Sequence, residues 1–195
     1  MIPFIGLTGG IGAGKSTALA ALDRLGVLGL STDQVVHDLY DSPEVRDAVV
    51  AEFGPGVLRE GSIDRAAVAR EAFAAPERRG WLEQLLWPLV GERMMAWRQE
   101  LNARPQPPRA VVVEVPLLFE GGMESAFDAT IAVIAEESVR QERAAARGHA
   151  SLDERKARQL TQEEKSQRAT YTVLNDGTEL DLEAKLSSIL DMLAP

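Results

Sequence analysis

Cysteine is absent from the 195 residues, so neither a disulfide nor a cysteine-held metal is available to the chain, which suits a reducing compartment. A basic surplus is missing as well. Thirty acidic residues stand against 21 basic ones, and the net charge of -9 argues against a general nucleic-acid or anionic-membrane surface. No apolar run approaches the length needed to cross a bilayer. The first residues also lack the charged, apolar and small-residue succession of a secretory leader. The expectation is a cytoplasmic protein that binds neither nucleic acid nor membrane; its oligomeric state is not readable. Internal repeats are missing too, and the length suits one core with a substantial insertion.

The strongest signal lies at the N-terminus, in Ile2 to Thr17. An apolar run from Ile2 to Leu7 reads as a buried strand, glycines follow, and a helix opens at Lys15. Gly9, Gly14, Lys15 and Ser16 satisfy the spacing of a phosphate-binding loop. Backbone N–H groups can wrap a polyphosphate only where side chains do not intervene, which Gly9, Gly10, Gly12 and Gly14 ensure. The following helix adds its unpaired N–H groups and the positive end of its dipole. Lys15 is suited to the β- and γ-phosphates and the Ser16 hydroxyl to a magnesium ion. A nucleoside triphosphate with Mg²⁺ is the expected ligand.

Further along, Ala18, Leu19, Leu22 and Leu25 recur at helical spacing up to Gly26, and Val27 to Leu30 reads as a second strand. Asp33 follows that strand, where a parallel sheet delivers side chains to its carboxyl edge; capping the next helix is an equal alternative. From Ser42 to Arg104 the pattern is helical throughout. Asp64 is expected to cap a helix burying Val68, Ala69 and Phe73, and the apolar face from Trp81 to Leu101 is interrupted at Pro88. Strands are expected at Ala110 to Val115, Thr130 to Ile134 and Tyr171 to Leu174, with a closing amphipathic helix through Leu182, Leu186, Ile189, Leu190 and Leu193. Glu114, within the third strand, and Glu120, in the loop after it, lie near the expected phosphate site; either can serve magnesium-bound water or substrate, and for Glu114 a structural contact is the favoured reading. Arg140, Arg143 and Arg147 precede Gly148, and a capping box at Ser151 and Glu154 starts a further basic helix. Such helices are either a solvated face or an arginine lid over a transferring phosphoryl group. By themselves the residues indicate a small-molecule kinase, with a nucleotide-binding assembly module as an alternative. A GTP-dependent switch is disfavoured, because Asn102 and Asn175 are followed by Ala103 and Asp176 rather than by the rest of a guanine-reading motif.

Taken together, the whole chain resembles the dephospho-CoA kinases. The likeness rests on IGLTGGIGAGKST, Asp33, SIDRAAVAREAF with Arg65, LEQLLWP, VPLLFE, RQERAAARG, RKARQ with Arg155 and Gln159, and LNDG at Asn175. Two positions depart from the family pattern: Ser31-Thr32-Asp33 stands for Asp-Ala-Asp, and Trp87-Pro88 for His-Pro. The resemblance implies an α/β P-loop NTPase fold, a five-stranded parallel sheet with helices on both faces. It implies a nucleotide-binding core at residues 1–41 and 109–195, a lid at about 138–165, and a helical substrate-binding insertion at 42–108. The implied reaction is ATP-dependent phosphorylation of the ribose 3′-hydroxyl of dephospho-CoA, the alternative being another small metabolite or nucleotide as acceptor. Asp33, Lys15 and Arg143 are the implied catalytic residues. ATP would be bound by Gly10, Ile11, Gly12, Ala13, Gly14, Lys15, Ser16, Thr17, Arg147 and Asn175, and dephospho-CoA by Thr8, Asp33, Arg65, Leu117 and Glu120, with Ser16 as the metal ligand.

Overall fold

A computed structural model describes residues 1–146 and 159–193. The chain divides into two compact units, Met1–Ser31 with Glu100–Pro195, and Thr32–Gln99.

The first unit is built on five parallel strands. β1 (Phe4–Gly9) is central, and β2 (Val27–Ser31), β5 (Ala110–Glu114), β6 (Ala129–Ile134) and β7 (Tyr171–Leu174) surround it in the order β2-β5-β1-β6-β7. Strands covered on both faces read as unbroken apolar runs, and all six residues of β1 are buried. Along β1 the side chains alternate. Ile5 and Leu7 join a core with Ala18 and Leu22 of α1 (Lys15–Arg24) and with Leu182, Leu186 and Leu190 of α8 (Glu179–Leu193). On the opposite face Phe4 stacks on Phe127 with ring centroids 5.0 Å apart. A Cβ at Gly6 would meet Leu118 at 2.6 Å and Phe127 at 2.8 Å, so only glycine fits there. Each fully buried leucine of this core contributes about 1.5–3 kcal/mol.

The register brings the carboxyl ends of the strands level. Ser31 and Leu7 both pair with Glu114, and Gly9 pairs with Val133. Because the chain passes from β1 to the edge at β2 and later returns to flank β1 on both sides, the sheet has a topological switch point at the carboxyl end of β1. Ligands of open parallel sheets bind at such points. The first strand itself lies two residues later than its apolar run suggests, since Thr8 and Gly9 remain in register with β6.

The second unit contains α2 (Thr32–Tyr40), α3 (Pro43–Phe53), α4 (Arg65–Ala74) and most of α5 (Pro76–Asn102). Asp64 caps α4 by accepting from the N–H groups of Ala66 and Ala67, as the sequence predicts, and Ser42 caps α3, which it does not predict. Three expectations change here. A hairpin of β3 (Leu58–Arg59) and β4 (Ser62–Ile63) interrupts the helical pattern, turning on Glu60 and Gly61 at φ 54° and 84°. Two positive-φ residues between paired strands make the turn whose twist suits a hairpin. Phe73 is 55% exposed, because α4 buries Ala67, Val68 and Ala72, a stripe about one position round the helix. Finally, α5 continues through Pro88. Leu86, Val90 and Met94 are buried on either side of the proline, and that continuous row outweighs one missing hydrogen bond on an exposed face. Phe53 meets Trp81 edge-on at 5.5 Å, and Arg78 lies over the Phe53 ring.

Candidate active site

The loop between β1 and α1 has the shape that its glycines permit. Gly14 lies in the left-handed region at φ 94° and occupies the position before α1 without offering a side chain to its N–H groups. A Cβ there would collide with the side-chain nitrogen of Asn175. Gly12, at φ 78°, has the same need: a Cβ would lie 2.5 Å from the Arg140 carbonyl oxygen. Lys15 Nζ donates to the Gly9 carbonyl at 3.0 Å, and Ser16, the second residue of α1, is exposed. Ala13 N donates to Gly10 O at 3.2 Å, and Ala18 N to Gly14 O at 2.9 Å, which carries the loop directly into the helix.

Three side chains from the far end of the sequence hold this loop. Asn175, at the end of β7 and 4% exposed, donates from Nδ2 to Ala13 O at 2.9 Å, while its backbone N donates to Ile134 O. Arg143, on α6 (Glu137–Ala146), donates to Asn175 O at 3.0 Å. Arg140 donates from Nε to Ile11 O at 3.0 Å and pairs with Glu137 at 2.7 Å. The sequence places Asn175 and Arg143 at the nucleotide but leaves Arg140 as one of several lid arginines; in the structure it binds the crest of the loop. Arg147, the Ser151/Glu154 capping box, Arg155 and the rest of the expected lid between residues 147 and 158 lie outside the described residues. A capping box does open α7 (Gln162–Arg168), with Thr161 and Glu164 as its members.

A second cluster stands on the other side of β1, below its carboxyl end. Thr8 is fully buried, and its hydroxyl donates to Pro116 O at 3.3 Å. Glu120 accepts from Leu160 N at 2.8 Å and pairs with Lys165 Nζ at 2.9 Å. Leu117 between them is 41% exposed, unlike the buried Leu118 and Phe119 that follow it. Sequence reasoning missed Lys165, and no local signal would have found it. A lysine in the stretch QEEKSQR reads as solvated, yet it is 0% exposed.

Within the second unit, Asp33 is the second residue of α2, inside the helix rather than at the position before it, and exposed. Its carboxylate complements the positive end of that helix. Arg65 is the first residue of α4. Its charge is felt at Tyr40, whose phenol is pushed above its ordinary value by burial, with Arg65 opposing the shift.

The sequence model of the dephospho-CoA kinase family matches residues 3–181. A dephospho-CoA kinase of Deinococcus radiodurans is 40% identical over 192 residues, covering 97% of this chain and 91% of that protein. A solved structure from Thermus thermophilus, named TT1252, is 36% identical with a TM-score of 0.83 and covers 100% of this chain and 99% of its own. At 24% identity, dephospho-CoA kinase from Campylobacter jejuni has the same fold, with a TM-score of 0.72 over 100% of this chain and 98% of that one. With a phosphate loop at the switch point of a five-stranded parallel sheet and a match along nearly its whole length, the chain belongs to the dephospho-CoA kinase family.

Proposed function

We infer that this chain transfers the γ-phosphoryl group of ATP to the ribose 3′-hydroxyl of dephospho-CoA, giving CoA and ADP, the last step of coenzyme A biosynthesis. The observation that carries the site assignment is the open N-terminus of α1. Ser42, Asp64 and Thr161 each offer a side-chain oxygen to the helix that follows, whereas Gly14 offers none, so no capping side chain stands between the start of α1 and phosphate oxygens.

Gly10, Ile11, Gly12, Ala13 and Gly14 wrap the triphosphate through their backbone, and Thr17 adds to the first turn of α1. Lys15 exchanges its bond to the Gly9 carbonyl for the β/γ-phosphate oxygens and follows their charge as the γ-phosphoryl group departs. Arg143 and Arg147 supply further positive charge, and Asn175 keeps the loop in the receptive shape. A hydroxyl is a suitable donor for Mg²⁺, which is held largely by substrate phosphates and water, and Ser16 is the residue that would hold it. Once bound, the ion neutralises charge between the phosphates.

On the acceptor side, Thr8, Leu117 and Glu120 shape the first unit's contribution, and Arg65 binds an anionic part of dephospho-CoA. Asp33, two positions beyond β2, orients the 3′-hydroxyl and takes its proton late in a loose transition state. A cytoplasmic location belongs to the same reading; among the described residues no helix is long and apolar enough to cross a membrane.

ADP formation with ATP, Mg²⁺ and dephospho-CoA, run beside AMP, shikimate and pantothenate, tests the acceptor. Turnover confined to dephospho-CoA is expected, and a preference for another acceptor would overturn the assignment. Asp33→Asn keeps the shape of the side chain and removes the base, so kcat is expected to fall about 10²–10⁴-fold with ATP affinity little changed. Near-normal kcat in the folded variant would leave Asp33 a helix-end residue.

A further inference from the structure

Lys165 is a fully buried charge that the reaction described above does not use. It projects from α7 into the face of the sheet occupied by Thr8, and its ammonium lies within reach of four oxygens. Pro116 O is at 3.0 Å, Thr8 Oγ1 at 3.4 Å, and the two carboxylate oxygens of Glu120 at 2.9 and 3.2 Å. An ammonium has three protons, so these acceptors share them. Thr8 belongs to the end of β1, Pro116 and Glu120 to the segment after β5, and Leu160, whose N–H reaches Glu120, leads into α7. One buried ion pair thus joins three segments that are far apart in the chain.

Cohesion alone does not explain it. Two charges lose their hydration on burial, and an apolar pair of the same volume often gives equal or better stability. What an apolar filling does not supply is direction: hydrogen bonds to a carbonyl, a hydroxyl and a carboxylate set the angles at which those groups stand. The residue held next to Pro116 is the exposed Leu117, and both oxygens of Glu120 are engaged with Lys165, so Glu120 acts through the shape of this segment.

We propose that Lys165 is a positioning residue for the phosphoryl acceptor: through Glu120, Pro116 and Thr8 it sets the segment carrying Leu117 against the end of β1. This rests on the reading that Thr8, Leu117 and Glu120 form the acceptor side of the site.

The paired substitution Lys165→Met with Glu120→Gln removes both charges at nearly constant volume and avoids stranding one of them. In the full-length protein, kcat/KM for dephospho-CoA is expected to fall about tenfold or more, with thermal unfolding close to that of the unsubstituted protein and ATP affinity within about twofold. A folded double variant with unchanged kcat/KM overturns the proposal, and so does an equal loss of ATP affinity, which would place the effect on the phosphate loop. Glu120→Gln alone, which keeps an oxygen for Lys165 but leaves its charge unpaired, is the second variant; it should show a fall in the same parameter, and no fall counts against the role. Leu117→Ala is measured in parallel. If it lowers kcat/KM for dephospho-CoA while the double variant does not, the acceptor-side reading stands and the proposal for Lys165 fails. If Leu117→Ala has no effect, the acceptor-side reading fails and takes the proposal with it.

Discussion

Two helix N-termini in the first unit are built in opposite ways. α7 is closed: Thr161 Oγ1 accepts from Glu164 N at 3.1 Å, and the Glu164 carboxylate accepts from Thr161 N at 2.7 Å. α1 is open, because Gly14 has no side chain with which to close it. A closed end satisfies its own N–H groups and contributes stability; an open end leaves them to a ligand and contributes binding. The same backbone groups therefore do different work according to one preceding residue. Substitutions at the start of α1 are accordingly expected to register in turnover, and substitutions in the capping box of α7, Thr161 and Glu164, in stability.

The largest expected effect is at the open end. Lys15→Ala should lower kcat about 10²–10³-fold or more while the fold is kept, since its charge is needed as negative charge redistributes among the phosphates. Normal turnover in a folded variant would remove the phosphate loop from the mechanism. Gly14→Ala should affect both quantities. The added methyl group forces alanine into the left-handed region and displaces the Asn175 side chain from Ala13 O, at a cost of about 1–3 kcal/mol, and ATP binding should weaken with it. Calorimetric titration with ATP alongside urea unfolding separates the two losses; an unchanged affinity would mean that the loop tolerates a different shape.

At the closed end the expectation reverses. Thr161→Ala should destabilise by about 0.5–2 kcal/mol and leave kcat within about twofold, and a large loss of turnover in the folded protein would contradict the contrast. The smallest effect is on pH dependence. Bonds from Thr161 N and then from its hydroxyl hold the Glu164 carboxyl below its ordinary value. The hydroxyl and then the N–H of Thr178 do the same for Asp181 at the start of α8. A carboxyl depressed in the folded state stabilises above its unfolded value, and that contribution disappears as pH falls through the folded value. The unsubstituted protein should therefore lose more stability than Thr161→Ala below about pH 4, where ordinary carboxylates titrate. Parallel melting curves across that range would refute the linkage.

Legibility in the sequence followed distance along the chain. The five strands, the glycine that ends α1 and the Asp64 cap were readable because each is specified within a few residues by periodicity, backbone freedom or a side chain beside its own helix. The hairpin at Leu58 to Ile63 is also local, but at two residues per strand it is too short for alternation to reveal. The exposure of Phe73 and the passage of α5 through Pro88 depended on which stripe of each helix was covered, and a pattern of apolar residues does not settle that when aromatic positions adjoin it.

The sequence by itself determined that a phosphate loop would stand between a buried strand and a helix, because strand, glycines, lysine and hydroxyl are contiguous and their chemistry is local. Tertiary structure alone decided what surrounds that loop. Asn175 reaches Ala13 across 162 positions, and Lys165 reaches Thr8 across 157, so no window of sequence contains both partners. A lysine flanked by glutamates and glutamines has every local feature of a solvent-facing residue; it is buried because α7 packs on β1 and β6 where Glu120 offers a compensating charge, and only the folded sheet brings that charge to it.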